Sequence, residues 1–307
     1  MYITIPQRDR IPETEIYAKI LKKHTTQALS WDREVIILIH GGPGGNHTLY
    51  ADITDDLLEI ADLVLIDLRG CGLSKKIAPE HCTLDNHIDD LKFILKKLHL
   101  SKPVIHGCSY GALVALGFSI KYPKLPSKQI LSSCVASGKF IETARETLQR
   151  IGTSKQIQAA ERLWNGSFET QEQFLEYYST LAPLYIYKQD AMATPPASAE
   201  KIPYNIELVN LAFTTFLRTF DFTDKLSTVK ADTLIFSGKN DWIFDAEQAE
   251  ILHHGIKHSS LICLNECGHF PWKDQRAIFL SQVRSFIDPD LNYDLDATAK
   301  ESTSFTL

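Results

Sequence analysis

Lys102–Leu116, KPVIHGCSYGALVAL, decides how the rest of the chain is read. It starts as a short apolar run, Pro103-Val104-Ile105-His106, and turns at Gly107-Cys108-Ser109-Tyr110-Gly111. It continues as Ala112-Leu113-Val114-Ala115-Leu116-Gly117-Phe118, apolar on every side, which predicts a buried helix. Strand, sharp turn and helix with G-x-S-x-G at the turn is the pattern of a nucleophile elbow. The reason is steric. The serine must take a strained backbone conformation for its hydroxyl to project above a sheet. Strand and helix then nearly touch, and only residues without a side chain fit at Gly107 and Gly111. Alone, the pentapeptide is a weak signal, because a Gly-rich turn before a core helix looks the same. Its weight comes from partners elsewhere in the chain.

Working outward, Glu34–Ile39 is a continuous β-branched run, as expected of a central parallel strand buried on both faces. Leu63–Asp67, Lys128–Cys134, Ala231–Gly238 and Ser260–Leu264 read as further strands, and Tyr2–Ile5 with Thr14–Lys22 as an edge hairpin. Thr83–Leu98 predicts an amphipathic helix, with Ile88, Leu91, Leu95 and Leu98 inward and Asp89, Asp90, Lys92, Lys96 and Lys97 toward solvent. Asp245–His254 and Asp274–Phe286 predict two more. The alternation describes an α/β chain with a mostly parallel sheet. Between Ser137 and Phe222 the strands stop, and helical segments rich in Glu, Gln and aromatics take over, interrupted at Pro195-Pro196. The expected organisation is therefore a core of residues 1–136 and 223–288, a helical cap over 137–222, and a loose polar tail at 289–307.

Composition narrows the function. The 307 residues suit one large α/β domain with an insertion, or two small domains. A formal net charge of -6 gives a nucleic-acid partner no electrostatic support. The six cysteines form no CxxC pair, which argues against zinc and for reduced core thiols. The N-terminus lacks the basic and apolar regions of a signal peptide, and no run of about 18 apolar residues is present to span a membrane. A cytoplasmic address is the expectation. The sequence does not set an oligomeric state.

The Gly-rich loop His40-Gly41-Gly42-Pro43-Gly44-Gly45 follows a predicted central strand. It has no GK[ST] and does not meet GxGxxG, so nucleotide phosphate is not its ligand on motif grounds. Its backbone N–H groups suit a developing oxyanion instead.

Taken together, HGGPG at His40–Gly44, D-x-R-G-x-G-x-S at Asp67–Ser74, GCSYG at Gly107–Gly111, SGKND at Ser237–Asp241 and CGH at Cys267–His269 resemble the α/β-hydrolases. More narrowly, they resemble the proline iminopeptidase (prolyl aminopeptidase) group of serine peptidases. Leu68, where that group commonly has glutamine, and Cys108, where it often has glycine, depart from the pattern. The resemblance implies the α/β-hydrolase fold, with the cap covering the serine.

A serine nucleophile needs a base, and the base needs an orienting acid. In α/β-hydrolases the chain order is Ser, Asp or Glu, then His. Ser109, Asp241 and His269 meet it. Asp232 begins its strand, at the wrong edge of the sheet, and Asp245 suits a helix N-cap. His40 and His106 are expected to brace loops, and His253, His254 and His258 to lie at the surface. The N–H groups of Gly42 and Tyr110 are the expected oxyanion donors, and the chemistry calls for no metal or organic cofactor. The expected partner is a small peptide or ester substrate.

Removing an N-terminal residue requires carboxylates for its ammonium. In the iminopeptidases cap glutamates provide them, and in some members another acid follows the triad Asp. Trp242 holds that place here. Glu207, between Ile206 and Leu208 in an expected partly buried setting, is the first cap candidate; Glu161, Glu169, Glu172 and Glu176 are more simply solvated. The leading reading is an aminopeptidase releasing proline or another small apolar residue. A carboxylesterase with an aromatic acyl pocket is the alternative. A non-catalytic ligand-binding relative would have no need of an intact triad.

Overall fold

The computed structural model describes residues 1–24, 30–188 and 202–288. Pro195-Pro196 and the 289–307 tail lie outside the described residues. The chain opens with β1 (Tyr2–Ile5) and β2 (Thr14–Leu21), an antiparallel hairpin. Then come β3 (Val35–Ile39), α1 (Thr54–Ile60), β4 (Asp62–Ile66), α2 (Leu84–Lys97), β5 (Val104–Cys108), α3 (Tyr110–Lys121) and β6 (Lys128–Ser132). The described strands form a single sheet in the order β1-β2-β4-β3-β5-β6, closed by β7 (Asp232–Gly238) and β8 (Ser259–Leu264). From β4 onward across the sheet every pairing is parallel. Parallel strands need covered faces, and β3, β4 and β5 are buried along their whole length.

The two-residue period of a strand sorts the core into two layers. Ile37 and Ile39 of β3 join the apolar cluster that includes α2 and α3. Ile36 and Leu38 join the opposite one, with α1 and α11 (Arg276–Ile287), which follows α9 (Ala246–Gly255) and the short α10 (Pro271–Asp274). The sequence pattern does not announce helix α1. It has no side-chain N-cap, and only Thr54 and Leu57 are buried within it, so its pattern is faint.

Between β6 and β7 the described chain is helical: α4 (Phe140–Ile151), α5 (Ser154–Trp164), α6 (Gln171–Tyr185), α7 (Ile206–Thr214) and α8 (Phe216–Thr219). The two ends of this excursion are tied together. Gly138 N–H donates to Phe220 O at 2.9 Å, and Phe222 N–H to Ala136 O at 2.8 Å.

One surface assignment needs correction. Asp90, expected on the wet face of α2, is buried. Arg69 is also fully buried and binds both Asp90 oxygens, from Nε and Nη2, at 2.8 Å each. Arg8 binds the same carboxylate, and Arg69 Nη1 reaches Pro12 O at 3.1 Å. Burial pushes the Asp90 carboxyl up, against the pull of the two guanidiniums. A buried guanidinium requires a buried carboxylate, and helical periodicity cannot reveal a partner that is distant in sequence.

Candidate active site

Ser109 sits between β5 and α3 at φ 55° and ψ -122°. A non-glycine residue there is strained, at a cost of roughly 1–3 kcal/mol. The surroundings enforce it: Ser109 N–H donates to Ser132 O at 2.9 Å, and Ser109 O accepts from Ala112 N–H at 2.9 Å. A side chain on Gly107 would strike the backbone of Gly111, and one on Gly111 would strike the carbonyl of Ile39. Both glycines are thus fixed by the close approach of β3, β5 and α3.

Asp241 and His269 come from the loops after β7 and β8. His269 Nδ1 lies 2.7 Å from Asp241 Oδ2. The other carboxylate oxygen accepts N–H bonds from Ile243 (3.0 Å) and Phe244 (3.1 Å). With Nδ1–H held by the carboxylate, Nε2 is the nitrogen free to take a proton. Asp245, the rival acid, is the N-cap of α9 and accepts from Gln248 N–H. Among the described residues no hydrogen bond joins Ser109 to His269; the two side chains line the same cavity. His269 is also pinned from above, its N–H donating to Tyr185 O, the last residue of α6, at 2.8 Å.

A buried carboxylate that the sequence reading did not single out reinforces this joint. Asp274 accepts from Gly268 N–H (2.8 Å), Tyr187 N–H (3.1 Å) and Lys188 N–H (2.8 Å). It holds the histidine loop and the end of α6 together.

Gly42 (φ 61°) lies in the loop after β3, and the Tyr110 N–H opens α3. Asp67 organises this region, accepting from His47 N–H (2.6 Å), His47 Nδ1 (2.9 Å) and Leu73 N–H (2.8 Å). Burial pushes its carboxyl up, but His47, His40 and Leu73 outweigh that, and the net shift is downward. A side chain on Gly72 would collide with the same carboxylate. The D-x-R-G-x-G-x-S stretch is therefore a brace for the Gly-rich loop.

His87, also missed, steadies Tyr110. Burial lowers His87 to about 3, so its imidazole is neutral. Its Nε2–H donates to Arg69 O at 3.1 Å, and Nδ1 accepts the Tyr110 hydroxyl at 2.7 Å. His40 and His106 brace as expected. His40 Nε2 accepts from Leu68 N–H at 3.1 Å, and His106, likewise lowered to about 3 by burial, meets Ser132 Oγ at 3.0 Å.

The cavity above Ser109 has a volume of about 270 Å³. Its floor is the Gly41–Gly45 loop and the elbow. Its walls include Phe174, Tyr178, Tyr204, Val209, Phe213 and Phe244. No carboxylate is among the lining residues described, and the one Lys or Arg among them, Lys273, is paired with Asp52.

Both sequence candidates for substrate binding lie outside the cavity lining. Glu207 is exposed and does not line the cavity; Val209 and Phe213 of the same helix do. Adjacent helical residues point about 100° apart, so a buried Leu208 says nothing for Glu207. Trp242 is buried behind the wall, edge-on to Tyr185 and Trp164, and does not line the cavity either.

The α/β-hydrolase fold model matches residues 34–274, and the chain belongs to that family. It is an α/β hydrolase with a mostly parallel eight-stranded sheet flanked by helices. The chain is 27% identical over 263 residues to proline iminopeptidase PfmaB of Pestalotiopsis fici, covering 84% of this chain and 92% of that one. It is 26% identical over 290 residues to a proline iminopeptidase of Thermoplasma volcanium, covering 90% and 94%. The crystal structure of a proline iminopeptidase-related protein from Thermus thermophilus superposes with a TM-score of 0.69 at 18% identity, over 93% and 96% of the two chains. Among the described residues, no helix is long and apolar enough to cross a membrane, and no His/Cys/Asp/Glu group could hold a metal ion.

Proposed function

We propose that the chain is a serine hydrolase working through an acyl-enzyme. The observation that carries this is the elbow serine lining one cavity with His269, whose imidazole is held by Asp241. Ser109 Oγ bonds to the substrate carbonyl carbon as His269 Nε2 takes its proton. The carbonyl oxygen becomes an oxyanion, received by the N–H groups of Gly42 and Tyr110; one such donor stabilises the transition state by about 2.7–4 kcal/mol. The C–N or C–O bond then breaks, and His269 returns the proton to the leaving group. Water repeats the attack and frees the acid. Asp241 holds the imidazole tautomer and stabilises the imidazolium.

The kinship with proline iminopeptidases favours an aminopeptidase releasing N-terminal proline or another small apolar residue. The apolar walls suit a proline ring. The second reading, hydrolysis of an uncharged acyl ester, is favoured by the lack of any carboxylate among the described lining residues.

A paired panel tests both: a free-amine prolyl arylamide, its N-acylated form and a short-chain aryl ester, with Ser109→Ala as the blank. The alanine variant should lose turnover and stay folded, since the hydroxyl carries no core packing. Wild-type turnover by that variant would sink the mechanism. Cleavage of the N-acylated arylamide as fast as the free one would replace the aminopeptidase reading with the esterase.

A further inference from the structure

We propose that Tyr178 is a catalytic residue of this site: its hydroxyl donates a hydrogen bond to the substrate oxygen that the Gly42 and Tyr110 N–H groups receive. The inference rests on the acyl-enzyme reading of Ser109 and adds a donor from the opposite side of the cavity.

Three observations converge. The first is position. A side chain built on Gly42 would meet the Tyr178 hydroxyl, at 3.5 Å, and no other neighbour within 4 Å. A phenol carried by α6 therefore reaches down to the oxyanion loop. The second is availability. Tyr177 and Tyr185 bond to each other through their hydroxyls at 2.8 Å, and the Tyr110 hydroxyl is taken by His87. The Tyr178 hydroxyl has no hydrogen-bond partner among the described residues and lines the cavity. The third is rigidity. Its ring is held by Phe174 (5.0 Å between centroids), Tyr177 (5.4 Å), Tyr204 (5.6 Å) and Tyr185 (5.9 Å).

A donor held in place before the charge develops needs no reorganisation when it does, which is what makes such groups effective. A wall residue serving only to fill space would do as well as phenylalanine, and α6 already uses Phe174 for that. Burial also pushes the phenol well above its usual range, so the proton to be donated stays on the oxygen.

The test uses the full chain and an alkyl fluorophosphonate. Ser109 Oγ bonds to phosphorus, fluoride leaves, the serine proton passes to His269, and the phosphoryl oxygen takes the oxyanion position. Wild type should be labelled at Ser109, by mass spectrometry of the peptide, and Ser109→Ala should not. Tyr178→Phe should lower the maximal labelling rate about 10- to 100-fold, while half-saturation moves less than about threefold. A labelling rate within twofold of wild type, with Ser109 labelled in both, overturns the role of Tyr178 and leaves the acyl-enzyme standing. No labelling of wild type removes the acyl-enzyme reading, and this inference with it. A second comparison separates lost donation from a loosened cap. Replacing P=O by P=S weakens the acceptor, so the oxygen-over-sulfur rate ratio should be several-fold larger in wild type than in Tyr178→Phe. Equal ratios overturn the proposal whatever the variant's stability.

Discussion

Beneath the cavity, Asp67, Asp90, Asp241 and Asp274 are all buried, and every one is engaged by specific N–H or guanidinium donors. Above it, α5 to α7 present rings: Phe168, Phe174, Tyr177 and Tyr178 meet edge-on or stacked, with Trp164 against Phe213. The floor is fixed by directional bonds to charged groups, which fail if one partner is removed. Apart from the Tyr178 hydroxyl, the roof is fixed by shape, which tolerates replacement by a similar ring. Each carboxylate on the floor therefore has one geometry to hold, whereas the roof has a volume to fill. Substitutions at the two should differ in kind as well as size.

The sharpest break comes at Asp241. Asp241→Asn leaves the shape but favours the wrong imidazole tautomer, and kcat should fall about 10⁴-fold on any substrate found. Asp245→Ala, four residues on, should keep kcat and lose about 1 kcal/mol of stability in urea denaturation, as the loss of an N-cap does. Interchanged outcomes would assign the acid to the wrong side of the loop.

The next effect should appear at the joint between floor and roof. Asp274→Ala strips the acceptor from three backbone N–H groups, and the protein should lose about 3 kcal/mol of stability. Gly268 is one of the three, so kcat should drop more than KM rises. Asp274→Asn keeps the shape and one acceptor and should recover part of both. If Asp274→Ala melts with wild type and turns over at the wild-type rate, the joint is ornamental.

The same contrast governs what could be read without coordinates. The elbow, the Gly-rich loop and the places of Asp241 and His269 are legible because each lies in the loop after a strand, and strands announce themselves as apolar runs. Gly107 and Gly111 are legible for a steric reason that the close approach of Gly111 to Ile39 bears out. Asp90, His87 and Asp274 are not legible. Their roles depend on Arg69, Tyr110 and the end of α6, partners brought together by topology rather than by spacing. The hydroxyl of Tyr178 is hidden among aromatics in the same way. Thirteen rings between Ser137 and Phe222 predict a packed roof but do not say which of them reaches the Gly42 loop.

The smallest effect is expected at Glu207, the first cap acid the sequence offers for a substrate ammonium. Glu207 lies in the first turn of α7, a setting in which a carboxylate is favoured by the helix dipole without any ligand. It is exposed, while Leu208 and Val209 beside it are buried and Val209 reaches the cavity. Reaching Ser109 would require α7 to turn its wet side inward and expose those apolar residues. Burying even one such side chain contributes roughly 1.5–3 kcal/mol, so the rotation is opposed by more than an exposed ion pair could return. Glu207→Gln should therefore change kcat/KM by less than about twofold for free-amine arylamides, their N-acylated forms and aryl esters alike, about 0.4 kcal/mol at most. A tenfold rise in KM confined to the free amines would show that the acid does reach the substrate. The roof would then hold a charged group after all, and its contrast with the floor would fail at the point where substrate is chosen.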